Sequence, residues 1–162
     1  MKIEVREATA ADAAQVVAMW HRLTEDEGGS ATGFTEEIFL RDGIGPEAAF
    51  SCLIAEAVTG DGTRQTAGYL TMLPHYDSDA LARGTHVCDL YTERGCRRQG
   101  VARALLAEAA RRTAARGWVF LTWNVLAANR RAIAAYRRLG TVWDDLLLCG
   151  AEGEKFEALT RA

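Results

Sequence analysis

The segment Arg97-Arg98-Gln99-Gly100-Val101-Ala102 constrains this chain more than any other. It separates a predicted strand, Thr85–Thr92, from a strongly amphipathic helix, so a strand must hand over to a helix through a short basic loop. The first-turn N–H groups of a helix have no partner inside the helix, and its dipole adds partial positive charge there. A phosphate can accept from those donors, and Arg97, Arg98 and Arg103 add full charges. By itself R-x-x-G-x-A also suits a plain turn into a helix. Neither a G-x-x-x-x-G-K-[ST] loop nor a G-x-G-x-x-G fingerprint is present, so both common nucleotide-binding loops are excluded.

The rest of the chain gives that loop a setting. Ile3–Glu7 alternates like a strand. Thr9 is placed to cap a helix that sets Ala13, Val16, Val17, Trp20 and Leu23 on one face. The acidic, glycine-containing stretch Glu25–Ser30 ends it, and Thr35–Leu40 reads as a short second helix stopped at Asp42-Gly43. Ala49–Val58 and Ala67–Leu73 form an expected hairpin, and Pro74–Asp79 an expected loop. After the basic loop, Val101, Ala102, Leu105, Leu106, Ala109 and Ala110 line one helical face, and Gly117 closes the helix. Trp118–Val125 reads as a buried strand and Asn129–Leu139 as a helix stopped by Gly140. Two short strands are expected near Thr141–Trp143 and Leu146–Cys149, then a helical turn at Glu154–Leu159. This order predicts an α/β fold, a mixed and mostly antiparallel sheet with helices on both faces, in one domain spanning residues 1–162.

Composition narrows the partners. At 162 residues, 49% apolar and 25% charged, the chain can bury a core without staples. No apolar run approaches the ~20 residues that span a bilayer, and no signal-peptide core is present, so the expectation is a cytoplasmic protein without a membrane partner. A net charge of −3 does not suggest nucleic acid. Arginine concentrates between residues 94 and 138, while acids are denser in the first half. Cys52, Cys88, Cys96 and Cys149 have no C-x-x-C spacing, and His21, His75 and His86 form no ligand pattern with them, so no metal is expected.

A second constellation is Trp123, Val125, Asn129, Ala132, Tyr136 and Gly140. Asn129 stands where a strand gives way to a helix, an N-cap position, and Tyr136 lies two turns later on the same face. Tyr136 fits either a packed core position or a hydroxyl near a reacting atom. A phenol of pKa near 10 can donate a proton to a basic leaving group such as a thiolate.

Together, in this order and spacing, the two segments resemble the GNAT superfamily of acyl-CoA-dependent N-acyltransferases. That superfamily carries R/Q-x-x-G-x-G/A and often W-x-V-x-x-x-N-x-x-A-x-x-x-Y-x-x-x-G. The resemblance covers nearly the whole chain and is strongest to the diamine (spermidine/spermine) acetyltransferase branch. Val5–Asp12, Asp42–Gly45 with Cys52–Glu56, and Asp89-Leu90-Tyr91 match that branch more softly. It implies an N-acetyltransferase using acetyl-CoA and a small amine, and a homodimer. The backbone of Leu90, Tyr91 and Thr92 would pair with pantetheine. Arg97, Arg98, Gln99, Gly100, Val101, Ala102 and Arg103 would hold the pyrophosphate, and Asn129 and Ala132 would lie in the pantetheine region. Tyr136 would protonate the departing thiolate, and Asp26 and Glu27 would contact the amine.

One departure concerns the base. The diamine branch carries Glu before the Asp of its fourth strand, and here that position is Cys88, a poor activator of water. Three routes remain open: a water chain to another group, an amine already partly deprotonated, or His86, on the same strand face as Cys88. Asp77 and Asp79 add negative charge on an expected loop. Acetylation of a protein amine, or acyl-CoA binding without chemistry, are the alternatives to the small-amine reading.

Overall fold

The computed structural model describes residues 2–30 and 33–162, in two compact units, Met1–Asn124 and Val125–Ala162. The first unit is a five-stranded sheet in the order β1 (Lys2–Glu7), β2 (Ser51–Val58), β3 (Arg64–Asp77), β4 (Ala82–Thr92) and β5 (Leu121–Trp123). Neighbours are antiparallel except β4 and β5, so the sheet is mixed and mostly antiparallel. Helices α1 (Ala13–Asp26) and α2 (Glu36–Phe39) cover one face, and α3 (Val101–Ala115) covers the other.

Strand alternation explains the two faces. Ile54, Tyr69 and Tyr91 point to the side where Val16 and Met19 of α1 and Phe39 of α2 are buried. Leu53, Leu70 and Val87 take the opposite side, where α3 buries Val101, Leu105, Leu106 and Ala109. On that side the Thr85 hydroxyl meets Thr113 of α3 at 2.7 Å.

Two expectations for the first unit are corrected. Pro74–Asp79 is not a loop: β3 runs on to Asp77, which pairs with Ala82. β2 ends its pairing at Met72, so Pro74 sits where β3 has no second neighbour and a missing N–H breaks no β2–β3 bond. The expected strand Trp118–Val125 shortens to Leu121–Trp123, because its ladder to β4 holds only Thr85, His86 and Val87.

β1 is tied to the start of α1 by a charged bracket. Arg6 donates two hydrogen bonds to Asp12, at 2.7 and 2.8 Å, and the Thr9 N–H donates to the same carboxylate at 2.7 Å. These contacts, the Arg6 pairing foremost, hold the Asp12 carboxyl down at about 2 against opposing burial. A depressed carboxyl stabilises the fold above its unfolded pKa near 4 and loses that stabilisation as pH falls toward 2. Asp12→Asn is therefore expected to cost about 2 kcal/mol at pH 7. Urea unfolding of both proteins should show this gap closing between pH 4 and pH 2.

The second unit contains α4 (Arg130–Tyr136) and α5 (Glu154–Thr160). Among the described residues no strand follows β5, which corrects the expected strands at Thr141–Trp143 and Leu146–Cys149. Leu146, Leu147 and Leu148 are exposed. A continuous apolar run has no period of two, so its composition could not distinguish a strand from irregular chain.

Candidate active site

The basic loop has the conformation of an anion cradle. Arg98 and Gly100 both lie in the left-handed region, at φ 66° and 87°, before α3 begins. Alternating left-handed residues turn successive N–H groups to one side. The first bond into α3 runs from the Ala104 N–H to the Gly100 carbonyl at 2.9 Å. The N–H groups of Val101, Ala102 and Arg103 precede it and have no acceptor within the helix. Arg98 and Arg103 are exposed and make no ion pair among the described residues. Gln99 has another task, its amide donating to the Gly95 carbonyl at 2.9 Å.

Arg97 and Asp26, expected on opposite sides of the chemistry, hold each other at 2.5 Å. Arg94 takes the other Asp26 oxygen at 2.6 Å, and Arg97 also donates to the Thr92 carbonyl. In this structure Asp26 joins the end of α1 to the loop before the cradle. Arg22 adds a second tie to Glu93 at 2.6 Å. Sequence spacing gives no sign of contacts between residues some 70 positions apart.

β4 has a neighbour on each side only as far as Val87. From Asp89 to Thr92 it pairs with β3 alone among the described residues, which leaves one edge open to an added extended chain. Leu90, Tyr91 and Thr92 lie on this edge. The Tyr91 side chain is buried in the core, so only its backbone faces that role.

A cavity of about 140 Å³ lies beside the same stretch. Trp20, Phe34, Phe50, Tyr69 and Leu73 make its apolar wall, and Thr71, Cys88 and Asp89 supply its polar atoms. A β-bulge makes this floor. Thr71 pairs with Asp89 and Met72 with Val87, so Cys88 is an extra residue with no partner on β3. Val87 faces α3, and strict alternation would send Asp89 there too; the added residue turns Asp89 back to the cavity beside Cys88.

The electrostatics follow from burial. The Thr71 hydroxyl donates to the Asp89 carboxylate at 2.6 Å, yet burial outweighs this bond and pushes the Asp89 carboxyl above its usual range. Burial, then the Asp89 charge, raises Glu27 at the end of α1, and raises the Cys88 thiol as well. A thiol held neutral is a poor base. His86 lies off the cavity wall, sharing the Thr122 hydroxyl with His75 at 2.9 and 3.2 Å. Burial lowers its pKa, followed by the neighbouring His75. Asp77 accepts from the Asp79 and Ala80 N–H groups, each at 2.9 Å, and so shapes the β3–β4 turn.

In the second unit the Asn129 side chain accepts from the Ala132 N–H at 3.1 Å, capping α4 as its position suggests. Tyr136 is half-buried in the last turn of that helix. Sequence reasoning gave no role to Tyr69 or Thr71 and saw Asp89 only as part of a match. The one available signal was an aspartate in the middle of a strand, where its propensity is poor.

The model of the Acetyltransferase (GNAT) family matches residues 17–141. The chain belongs to this family. Relatives include a thialysine N-epsilon-acetyltransferase from Bos taurus, 27% identical over 85% of this chain and 83% of that protein. The Mus musculus enzyme of the same name is 29% identical over 84% and 82%. Among solved structures, an integron cassette protein from V. cholerae superposes with a TM-score of 0.78 at 17% identity, covering 100% of this chain and 99% of its own. An aminoglycoside acetyltransferase from an uncultured soil metagenomic sample does so at 0.72 and 19%, covering 94% and 100%. At these identities the two structures share the fold. This GNAT chain is thus an acetyltransferase by family and by its relatives. No helix among the described residues is long and apolar enough to cross a membrane.

Proposed function

We propose that this GNAT protein transfers the acetyl group of acetyl-CoA to the primary amine of a small cationic molecule, with residues 1–162 acting as one domain. The observation that carries this reading is the apolar cavity floored by a part-buried carboxylate beside the open edge of β4. The aromatic wall suits the alkyl part of an amine, and Asp89 with Glu27 suits its charge. Thialysine, on which the two mammalian relatives act by name, is such an amine.

Acetyl-CoA supplies an acyl carbon activated as a thioester. The cradle fits its pyrophosphate: Arg98 and Arg103 pair with no acid among the described residues, and the N–H groups of Val101, Ala102 and Arg103 lack helical acceptors. Gly100 supplies the left-handed turn into α3, and Gln99 and Arg97 brace the loop. Leu90, Tyr91 and Thr92 pair through their backbone with the pantetheine arm, and an N–H there polarises the thioester oxygen. Asn129 and Ala132 open the helix that carries Tyr136, whose phenol gives its proton to the departing thiolate. Glu27 and Cys88 border the acceptor, while Asp26 acts through its hold on Arg94 and Arg97.

Thiol release from acetyl-CoA, followed with putrescine, spermidine, thialysine and a lysine-containing peptide, tests the reading. Turnover with one or more of the small amines is expected. Turnover on the peptide alone would make the protein a peptide acetyltransferase. Tight acetyl-CoA binding with no thiol release from any acceptor would make it a binding module.

A further inference from the structure

We infer that Asp89, brought to the cavity floor by the bulge at Cys88, is the residue that pairs with the acceptor's ammonium and takes its proton, with the Tyr69 hydroxyl as a second anchor for the nitrogen. This rests on the small-amine reading above and assigns the base that Cys88 cannot be. The carboxylate is in place: it lines the cavity, and Thr71 fixes it from both ends, donating its hydroxyl proton to the carboxylate at 2.6 Å and accepting from the Asp89 N–H at 3.1 Å.

Tyr69 is the independent sign of a ligand. It lines the same cavity, is fully buried, and its hydroxyl has no hydrogen-bond partner among the described residues. An unmet buried hydroxyl is costly, and an amine or ammonium N–H pointing at it removes that cost. Burial and then the Asp89 charge push the phenol upward, so it stays neutral and can accept a hydrogen bond from the amine. The titratable groups around Asp89 are Glu27 from α1, Cys52 from β2, Tyr69 from β3, and Cys88 on its own strand. Cys52 is pushed up to about 12, mainly by burial, and does not titrate near neutrality. The Asp89 charge disfavours that of Glu27, and a cation held at Asp89 relieves it.

The ammonium gives one proton to the Asp89 carboxylate, and the freed nitrogen lone pair attacks the thioester carbon. The N–C bond forms and the C–S bond breaks; the thiolate takes a proton from the general acid, and the second proton lost by the nitrogen passes through solvent to restore that acid. Asp89 then returns its proton to solvent, so each amide and thiol formed releases one proton.

The test is the pH profile of kcat/KM with thialysine, or with whichever amine of the panel turns over fastest. In the native protein kcat/KM is expected to rise to a plateau below the free amine's own pKa. In Asp89→Asn it should fall about 100-fold at pH 7 and then climb tenfold per pH unit up to that pKa, because only amine already neutral can react. Acetyl-CoA affinity, measured by calorimetry, should stay within about twofold. Thr71→Val removes a donor to the carboxylate and should move the rising limb to higher pH. Tyr69→Phe should raise KM for the amine more than it lowers kcat. A plateau retained in Asp89→Asn overturns the inference while leaving the acetyltransferase reading intact. If that variant does not fold, an unmoved limb in Thr71→Val overturns it. Absence of turnover by the native protein with every small amine overturns the underlying reading instead.

Discussion

Gly68→Ala is expected to destabilise the protein by about 3 kcal/mol, lowering Tm by about 10 °C. A Cβ on Gly68 would overlap the Tyr91 carbonyl oxygen, which is backbone and cannot rotate away. It would also press on Val101 at 3.2 Å and on the Thr92 Cα at 3.3 Å. At this point β3, the end of β4 and the first residue of α3 meet, so relief requires moving a strand or the helix. Because Thr92 and Val101 flank the basic loop, acetyl-CoA affinity should fall together with stability. Thermal unfolding with and without acetyl-CoA checks both, and a Tm within about 2 °C of the native value would show that the sheet absorbs the methyl group.

Tyr136→Phe is expected to lower kcat about 1000-fold with acetyl-CoA affinity nearly unchanged. The phenol oxygen is the only polar atom removed, and the ring keeps its volume in the last turn of α4. A proton given to the leaving thiolate matters only as the C–S bond breaks, so kcat and kcat/KM should fall together. Steady-state thiol release on the best panel amine, with calorimetry for acetyl-CoA, measures the effect. A kcat within threefold of native would remove Tyr136 from the chemistry.

Local features of this fold were legible where one stretch of chain determines them. Asn129 caps its helix as its position suggests, and Gly100 turns the chain into α3. The periodicity of Leu105, Leu106 and Ala109 places them in the core. Features that depend on two distant stretches were hidden. The bulge is a mismatch between the lengths of β3 and β4, visible only once Thr71 is set against Asp89. The cavity draws Trp20, Phe34, Phe50 and Tyr69 from four separate elements or loops, distant from one another in sequence. Asp26 and Arg97 were each assigned a partner outside the protein, and they hold one another. Leu146–Leu148 invited a strand assignment through composition alone, without a neighbouring strand to pair with.

The extra residue at Cys88 has a consequence for how such a site changes over time. The face that the Asp89 carboxylate takes follows from its partner Thr71 on β3, and Cys88 stands outside that register. A strand shorter by one at Cys88 would let Asp89 follow Val87 directly, opposite Thr71 and still toward the cavity, as plain alternation requires. Point substitution at Cys88 can tune the polarity of the cavity floor while the acid stays in place. Loss of the bulge with Cys88 kept in the ladder would instead set Cys88 against Thr71 and turn Asp89 toward α3, so the pairing register is itself part of the catalytic information.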